Sequence, residues 1–443
     1  MKSHGSAHRF DWKRLYPDAT EAEWSDWRWQ SRNLVRTLAA LEEKVPLTED
    51  ERRGCIDTEG IFRLGISPYY LSLIDPAHPG CPVRQQAIPV QAEALVRPGE
   101  LRDPLGEDHH RPVRGIVHKY PDRVLFLALD RCSTYCRHCT RRRITSGGEG
   151  DFNKDELKLA VDYVAAHHEV RDVLISGGDP FLFSTARLAE LLAMLRAIPH
   201  VEIIRIGTRV PVTLPMRIDD ELCRTLRRYA PLFVITHFNH AKELTAEARS
   251  ACERLVDHGV PVENQAVLMR GVNSSLLAIK DLMQQCLTMR VRPYYLHQMD
   301  VAQGLEHLRT PLEFGVELLR GLRGHTSGLA VPHLAVDLPD GGGKVTVQPD
   351  YVVERRAAET LFRNYKGDPY SYPEPEETDC TVPYDLVWYP NHLPVHHPEN
   401  PAAAPAPATR ADLHAAPAPV GPAAGALFSL TARRDPAPRV KPG

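Results

Sequence analysis

The stretch VLFLALDRCSTYCRHCTRRRI (residues 124–144) joins an apolar run to three cysteines and three consecutive arginines. The run VLFLAL (124–129) has the length and composition of a buried β-strand. Cys132, Cys136 and Cys139 come directly after it, on the loop that leaves the strand. Ligands of α/β proteins gather at the C-terminal ends of parallel strands. The stretch therefore predicts a strand of a parallel sheet with a ligand site at its end.

Five further apolar runs continue the pattern, and an amphipathic helical segment follows each of them. These runs are DVLISG (172–177), VEIIRIGTR (201–209), LFVITHF (232–238), VENQAVLM (262–269) and PYYLHQM (293–299). Because parallel neighbours need a crossover, six strand–helix units in succession predict a parallel sheet. A partial barrel and a doubly wound open sheet both fit this pattern. A last segment, HLAVDLPDGGGKVTV (333–347), predicts a strand, a glycine loop and another strand.

Composition narrows the class of protein. The 443 residues are 43% hydrophobic and 25% charged, as in a soluble enzyme with a sizeable core. A net charge of −3 gives no reason to expect a nucleic acid as partner. Nine cysteines, an odd number, do not suggest a secreted disulfide framework. Neither a signal peptide nor an apolar span of membrane length is apparent, so we expect a cytoplasmic protein without membrane contacts.

Four regions are expected along the chain. Residues 1–110 predict a helical region whose tryptophans (Trp12, Trp24, Trp27 and Trp29) pack onto the main body. Residues 111–350 hold the strand–helix units, and residues 351–400 form a C-terminal extension. Residues 401–443 are rich in proline and alanine with almost nothing to bury, which predicts a disordered tail.

The three clustered cysteines allow more than one interpretation. A structural zinc site needs four ligands, and His138 could complete one only if adjacent residues all pointed at one ion. Simple buried thiols are a second possibility. A [4Fe–4S] cluster held by Cys132, Cys136 and Cys139 would leave one iron without a protein ligand. Such an iron can bind a small molecule, so the missing fourth cysteine has a chemical use.

The C-x₃-C-x₂-C spacing after the first strand of a six-unit array resembles the radical S-adenosylmethionine superfamily. This resemblance implies a [4Fe–4S] cluster on the three cysteines, with S-adenosylmethionine bound at the open iron. It also implies a glycine-rich turn after the second strand that receives the methionine amine. That place is filled here by Ser176, Gly177, Gly178 and Asp179.

A longer series of segments resembles the lysine 2,3-aminomutase family over roughly residues 100–370. The segments include KYPDRVLFLALDRCSTYCRHCTRRR, RDVLISGGDP, VEIIRIGTRVPV, THFNH, VRPYYLHQMD, GLRGHTSG and DLPDGGGK. This resemblance implies an α/β fold, a partial (β/α)₆ TIM-like barrel with an N-terminal helical extension and a C-terminal extension. It also implies an isomerase, an aminomutase that moves the α-amino group of L-lysine to the β-carbon. We expect a reducing partner of the flavodoxin or ferredoxin type and a homo-oligomer.

The same resemblance implies pyridoxal 5′-phosphate as a further cofactor, carried by Lys344. A lysine that forms a Schiff base must approach its ligand closely, and the three glycines before Lys344 allow this. The matching positions for the cofactors are Lys119, Tyr120, Arg123, His237, Asn264 and Gln265.

For the substrate, the matching positions are Arg141, which would bind the carboxylate, and Asp300 and Asp337, which would bind the distant ammonium. Two aspartates do not exclude arginine as the substrate, so an arginine 2,3-aminomutase remains an alternative. An enzyme that modifies a lysine on a protein and a zinc-binding interaction module are further alternatives.

Two departures from the family pattern stand out. Well-known members bind a structural zinc through a C-terminal cysteine cluster and one barrel cysteine. Here the C-terminal region has only Cys380, and Ser275 occupies the barrel position, so we expect no structural zinc. His297 also stands where a tyrosine is frequent, which leaves the fine substrate preference open.

Overall fold

A nine-stranded sheet forms the centre of the protein, with its strands in the same order as in the chain. The computed structural model describes residues 12–146 and 152–376. The strands are β1 (Ile116–Tyr120), β2 (Arg123–Leu129), β3 (Asp172–Gly177), β4 (Ile203–Gly207), β5 (Leu232–Thr236), β6 (Val262–Leu268), β7 (Val291–Gln298), β8 (His333–Leu338) and β9 (Gly343–Val347). Strands β2 to β8 are parallel, and β1 and β9 pair antiparallel at the two edges.

The unbroken strand order decides between the two folds that the sequence left open. A doubly wound sheet reverses its order at a switch point, and no reversal occurs between β2 and β8. Crossovers of one hand that always step in one direction keep their helices on one face and curl the sheet. The prediction of a partial (β/α)₆ TIM-like barrel is therefore confirmed, with six crossovers joining seven parallel strands.

The two edge strands come close enough to touch. The backbone N–H of Lys344 in β9 donates a hydrogen bond of 2.8 Å to the phenol oxygen of Tyr120 in β1. The sheet is thus nearly closed at this point, although no ladder of backbone hydrogen bonds joins β1 to β9 among the described residues. Strand β1 itself was not predicted from the sequence. It forms a hairpin with β2 around Pro121 and Asp122, a dipeptide that favours tight turns.

Helices begin where the sequence provides a cap. The helices of the barrel are α8 (Arg142–Ser146), α9 (Lys154–Ala166), α10 (Thr185–Arg196), α11 (Val210–Thr213), α12 (Asp220–Arg227), α13 (Ala246–Asp257), α14 (Leu276–Thr288) and α15 (Leu312–Leu322). Five of the six crossover helices follow a residue whose side chain accepts a hydrogen bond from the first turn. These caps are Asn153, Ser184, Asp219, Thr245 and Ser275. Ser275 therefore serves α14 locally, and the expected absence of a structural zinc stays a prediction because Cys380 lies outside the described residues.

In the described part of the chain, seven short α-helices precede the barrel. They are α1 (Trp12–Leu15), α2 (Glu21–Ser25), α3 (Trp27–Arg32), α4 (Leu38–Glu42), α5 (Glu49–Asp57), α6 (Pro68–Leu71) and α7 (Pro82–Ala87). Trp12 and Trp24 are buried and stack at 4.5 Å between ring centroids. The guanidinium of Arg217, from the segment after β4, lies 4.8 Å from the centroid of the Trp27 ring. One continuous hydrophobic core contains side chains of both this region and the barrel.

The cysteine loop between β2 and α8 is held by this N-terminal region. Its backbone N–H groups at Tyr135 and Arg137 donate to the carbonyls of Gly65 and Gln86. The buried guanidinium of Arg137 forms a bidentate pair with Glu93, at 2.7 Å between Nη2 and Oε2. The loop has little regular secondary structure, so these contacts fix its path.

Beyond β9 the described chain continues into a small separate sheet. Its three antiparallel strands are β10 (Val352–Arg355), β11 (Glu359–Arg363) and β12 (Pro369–Pro373). Residues 377–443, which include the expected tail 401–443, lie outside the described residues, and the four-region division stays a prediction. None of the described helices has the length and apolar character that a membrane span requires.

We predict that Glu93→Gln destabilises the protein by about 3–5 kcal/mol, because removal of one partner leaves buried guanidinium groups without a counter-charge. The measurement is the free energy of unfolding in urea. Glu202→Gln is the matched control, since Glu202 pairs with Arg171 on the surface, where both side chains are more than half exposed. A loss of stability no greater than that of the control would contradict the role given to Glu93.

Candidate active site

A cavity of about 750 Å³ lies on the face of the sheet that is turned away from the crossover helices. All but one of the site residues predicted from the sequence line it. These are Lys119, Tyr120, Arg123, Cys132, Cys136, Cys139, Arg141, Ser176, Gly177, Gly178, Asp179, His237, Gln265, Asp300, Asp337 and Lys344. The fold thus brings together residues that are up to 225 positions apart in the sequence.

Asn264 is the exception: its side chain does not line the cavity, and its role as a cofactor ligand stays a prediction. Its side chain is buried on the helix side of β6, where it accepts a hydrogen bond of 2.7 Å from the N–H of Phe238 and donates one of 3.0 Å to the same residue's carbonyl. Successive residues of a strand point to opposite faces, so Asn264 and Gln265 could not both face the cavity. Gln265 faces it, and Asn264 ties β6 to the end of β5.

The three cysteines lie along one wall of the cavity. Burial raises the pKa of the Cys139 thiol to about 11 and that of Cys132 well above its usual value, and in each case the neighbouring thiols raise it further. Within residues 12–146 and 152–376, no group of three or more His, Cys, Asp or Glu side chains is placed to hold a single metal ion. The thiols of a [4Fe–4S] cluster bind three different irons and therefore need wider separations. Three thiols that line one cavity are the donor set of such a cluster with one iron left open.

A buried arginine connects the cysteine loop to its surroundings. Arg209, which follows β4, donates to the Cys136 sulfur at 2.8 Å and to Glu243 at 2.8 Å. It also donates to Tyr70 and Gln86 of the N-terminal region. Burial alone would lower the pKa of Arg209, but Cys136, Tyr70 and Glu243 raise it above its ordinary value. The guanidinium is therefore always charged and holds the cysteine loop against three other segments.

The turn after β3 fits tightly against the same loop. The N–H groups of Gly178 and Asp179 donate to the carbonyls of Leu129 and Arg131, at 2.6 and 2.8 Å. A side chain at Gly178 would place its Cβ 2.2 Å from the Arg131 oxygen, so only glycine fits there. The backbone of this turn borders the cavity beside the cysteines, where a ligand of the cluster would lie.

The carboxylate of Asp179 is engaged within the turn and is not free for a ligand. It accepts hydrogen bonds from the Thr208 hydroxyl at 2.5 Å and from the Arg209 N–H at 2.7 Å. Burial raises the pKa of Asp179, and these donors oppose the shift. Asp179 therefore holds the turn in place on two sides: its backbone N–H binds the cysteine loop, and its carboxylate binds the segment that follows β4.

Lys344 lies at the place where β1 and β9 meet. Its Nζ contacts Asp337 in a short hydrogen bond and lies 3.3 Å from Nδ1 of His297. Two further cationic side chains line the same part of the cavity. Arg123 stacks over the Tyr120 ring at 4.2 Å, and Lys119 donates to the carbonyl of Leu105. A primary amine beside two fixed cations fits a phosphorylated aldehyde such as pyridoxal phosphate.

Two aspartates of the cavity differ strongly in their titration. Burial, and then the charge of Asp337, raise the pKa of Asp300 to about 6. The Thr140 hydroxyl donates to Asp300 at 2.8 Å and holds it in place. Burial alone would raise the pKa of Asp337 too, but His297 and Lys344 hold it below its usual value. A cation bound between the two carboxylates would remove the repulsion that keeps Asp300 partly protonated.

Arg141 presents only part of its guanidinium to the cavity. Its Nε donates to the buried Glu107 at 2.7 Å, which leaves the terminal nitrogens to face a ligand. Glu107 and Thr140 were not predicted from the sequence. Thr140 could have been, because it stands between Cys139 and Arg141, whereas the segment around Glu107 carries no recognisable pattern.

Comparisons with known proteins agree with this geometry. A family model described as "Radical SAM superfamily" matches residues 127–283, which begin in β2 and contain the cysteine loop. The fold and cysteine site thus define a radical S-adenosylmethionine enzyme. A second model, described as "Lysine-2,3-aminomutase", matches residues 319–395.

Curated relatives cover most of the chain. An L-lysine 2,3-aminomutase from Fusobacterium nucleatum is 48% identical and covers 84% of this chain and 88% of its own length. One from Clostridium subterminale is also 48% identical, over 82% and 87%. A glutamate 2,3-aminomutase from Clostridioides difficile is 39% identical, over 79% and 83%. The chain belongs to the lysine 2,3-aminomutase family, and it is an isomerase that uses a [4Fe–4S] cluster, S-adenosylmethionine and pyridoxal phosphate.

We predict that Gly178→Ala lowers cluster incorporation, because the added methyl collides with the Arg131 carbonyl and pushes the cysteine loop away from the β3 turn. Overpacking of this kind destabilises by about 1–3 kcal/mol. The measurement is iron and sulfide per chain after anaerobic reconstitution. Gly328→Ala is the control, since a Cβ there meets nothing within 4 Å. Equal iron content in both variants would contradict the fit between turn and loop.

Proposed function

We propose that this protein is an L-lysine 2,3-aminomutase, which moves the α-amino group of lysine to the β-carbon to give β-lysine. Family membership alone does not select the substrate, because a glutamate 2,3-aminomutase is also among the relatives. The observation that carries the proposal is the pair Asp300 and Asp337 in a cavity that also contains Arg141. Two carboxylates suit a substrate with a distant positive charge and would repel a substrate with a distant negative one.

Each cofactor is assigned to its own group of residues. Cys132, Cys136 and Cys139 hold the cluster, and the turn Ser176–Asp179 borders S-adenosylmethionine, with His237 nearby on β5's loop. Lys344 holds pyridoxal phosphate covalently, with Lys119, Tyr120, Arg123 and Gln265 around it. Bound there, the cluster and S-adenosylmethionine supply a radical able to remove hydrogen from an unactivated carbon, and pyridoxal phosphate supplies a carbonyl group that carries the amino group.

The side chains of the protein bind the substrate and orient it. Arg141 holds the substrate carboxylate with the guanidinium nitrogens that Glu107 leaves free, and the aspartates hold the side-chain ammonium. With both ends fixed, one carbon–hydrogen bond is presented in one orientation, which is the main contribution that positioning makes to such a reaction. The strands of the nearly closed sheet surround the site on its sides, which limits the access of water and oxygen from those directions.

The proposal includes partners and location. The electron for the cluster comes from a small reductant of the flavodoxin or ferredoxin type. The protein acts in the cytoplasm as a homo-oligomer, on a free amino acid, and without nucleic acid or membrane contacts. The net charge of −3 gives no reason to expect a nucleic acid as partner.

We predict that Asp300→Asn and Asp337→Asn each lower kcat/KM for lysine at least about 100-fold, because an unpaired ammonium in the cavity costs several kcal/mol. The measurement is β-lysine formed by anaerobically reconstituted protein, with binding of S-adenosylmethionine as the control that should not change. Arginine is assayed in parallel. A higher kcat/KM for arginine than for lysine would show that the protein is an arginine 2,3-aminomutase. A colourless protein with zinc in place of iron and sulfide would overturn the enzyme assignment.

The pH dependence of kcat/KM for lysine provides a separate test of the role proposed for Asp300. The pKa of Asp300 in the free protein is about 6. As the pH falls through this value the carboxyl takes up a proton and loses its attraction for a cation, so kcat/KM for lysine should fall below pH 6 and level off above it. Asp300→Asn should remove this step from the profile. An unchanged profile in that variant would show that another group titrates.

A further inference from the structure

His297 contacts both Lys344 and Asp337, in the part of the cavity that is lined by β7, β8 and β9. It is on β7, with its side chain only 16% exposed, and its Nδ1 is 3.3 Å from Nζ of Lys344. The same nitrogen lies 3.6 Å from Oδ2 of Asp337. His297 therefore contacts the amine that, under the proposed function, must react with the cofactor.

A neighbouring amide fixes which nitrogen of His297 carries the proton. Nε2 of Gln265, which can only donate, lies 2.8 Å from Nε2 of His237. The amide oxygen of Gln265 is thereby directed to His297, 3.3 Å from its Nε2. That nitrogen must carry the hydrogen in order to donate it. Nδ1 is left with a lone pair that faces the Lys344 ammonium.

The imidazoles of His237 and His297, which Gln265 links by hydrogen bonds, are both neutral. Burial lowers the pKa of His237 to about 3. Burial and the charge of Lys344 lower the pKa of His297, and Asp337 offsets part of that shift. The groups that face His297 are His237 on β5, Gln265 on β6, Tyr295 on β7, Asp337 on β8 and Lys344 on β9.

Of the two possible bases at Nζ, the imidazole is the better one. Asp337 also contacts the Lys344 ammonium, but its pKa is held below its ordinary value, so it is a weak base. Once His297 has taken up a proton, the imidazolium lies beside the Asp337 carboxylate, which stabilises the new charge. His297 is therefore placed to accept a proton from Lys344, and Asp337 is placed to stabilise the imidazolium.

We propose that His297 is a catalytic residue that accepts a proton from Lys344 and so prepares this lysine to capture pyridoxal phosphate. In the step an N–H bond of the Lys344 ammonium breaks, an N–H bond forms at Nδ1 of His297, and the electron pair left on Nζ becomes the nucleophile. Nothing is oxidised or reduced. The proton returns from the imidazolium to Nζ when Lys344 is released from the cofactor as a neutral amine, and this restores the ammonium. This inference rests on the proposed function only in taking Lys344 as the cofactor lysine.

The test follows the rate at which the full chain, with its cluster reconstituted and its pyridoxal phosphate removed, recaptures that cofactor. The visible absorption of the bound cofactor is recorded after rapid mixing, across a range of pH. Three variants are compared with the wild type: His297→Gln, which keeps an acceptor but cannot carry a proton, His297→Gly, and the control His333→Gln, which replaces an exposed histidine.

We expect capture at neutral pH to slow on the order of 100-fold in both His297 variants, as is typical when a positioned base is lost. The deficit should narrow as the pH rises, because solvent base then removes the proton. Free imidazole should restore the rate of His297→Gly, and His333→Gln should behave as the wild type. The amount of cofactor bound at equilibrium should be the same in all four proteins.

Three results would overturn the role of His297. The first is that His297→Gln captures pyridoxal phosphate as fast as the wild type does. The second is that imidazole does not restore the capture rate of His297→Gly. The third is that His297→Gln binds less cofactor than the wild type at equilibrium at every pH. A Lys344→Ala protein that still forms the visible band would instead refute Lys344 as the cofactor lysine. That outcome concerns the proposed function, so the two failures are distinguishable.

Discussion

The rest of the site depends on one buried interaction, in which the carboxylate of Glu93 pairs with both Arg137 and Arg142. A buried ion pair adds little to stability by comparison with apolar packing, but breaking one leaves a charge with no compensation. Glu93 belongs to the region before the barrel, Arg137 belongs to the cysteine loop, and Arg142 is the first residue of α8, directly after that loop. The loop therefore takes its path only when the N-terminal region is packed against it.

That loop carries more than the cysteines. Thr140 and Arg141 follow Cys139 directly, so the same backbone positions a cluster thiol, the hydroxyl that holds Asp300, and the arginine proposed to bind a carboxylate. The charged groups of the cavity already have partners: Glu107 orients Arg141, and Lys344 orients Asp337. Groups fixed in this way need little rearrangement when a ligand arrives, which favours both affinity and catalysis.

Much of this arrangement could be predicted from the sequence, because local patterns record it. The apolar runs gave the parallel strands, the capping residues mark the helix starts, and the cysteine spacing indicated the cluster. The alternation of β6 would also have placed the side chains of Asn264 and Gln265 on opposite faces of the sheet. The hairpin of β1 was missed because its only signal is the Pro121-Asp122 turn. Partners such as Glu93 and Glu107 could not be found, since no local pattern records a contact with a distant segment.

The contact between Tyr120 and Lys344 joins residues 224 positions apart. During synthesis, a chain that has left the ribosome only as far as β8 already contains all three cysteines and both aspartates, yet it lacks Lys344, the residue proposed to hold the cofactor. Under the proposed function, the coenzyme can therefore be captured only after β9, the strand that brings Lys344 to Tyr120 of β1, has been made. A coenzyme held by Lys344 would lie beside residues of both edge strands and would add to the contact that joins β1 to β9.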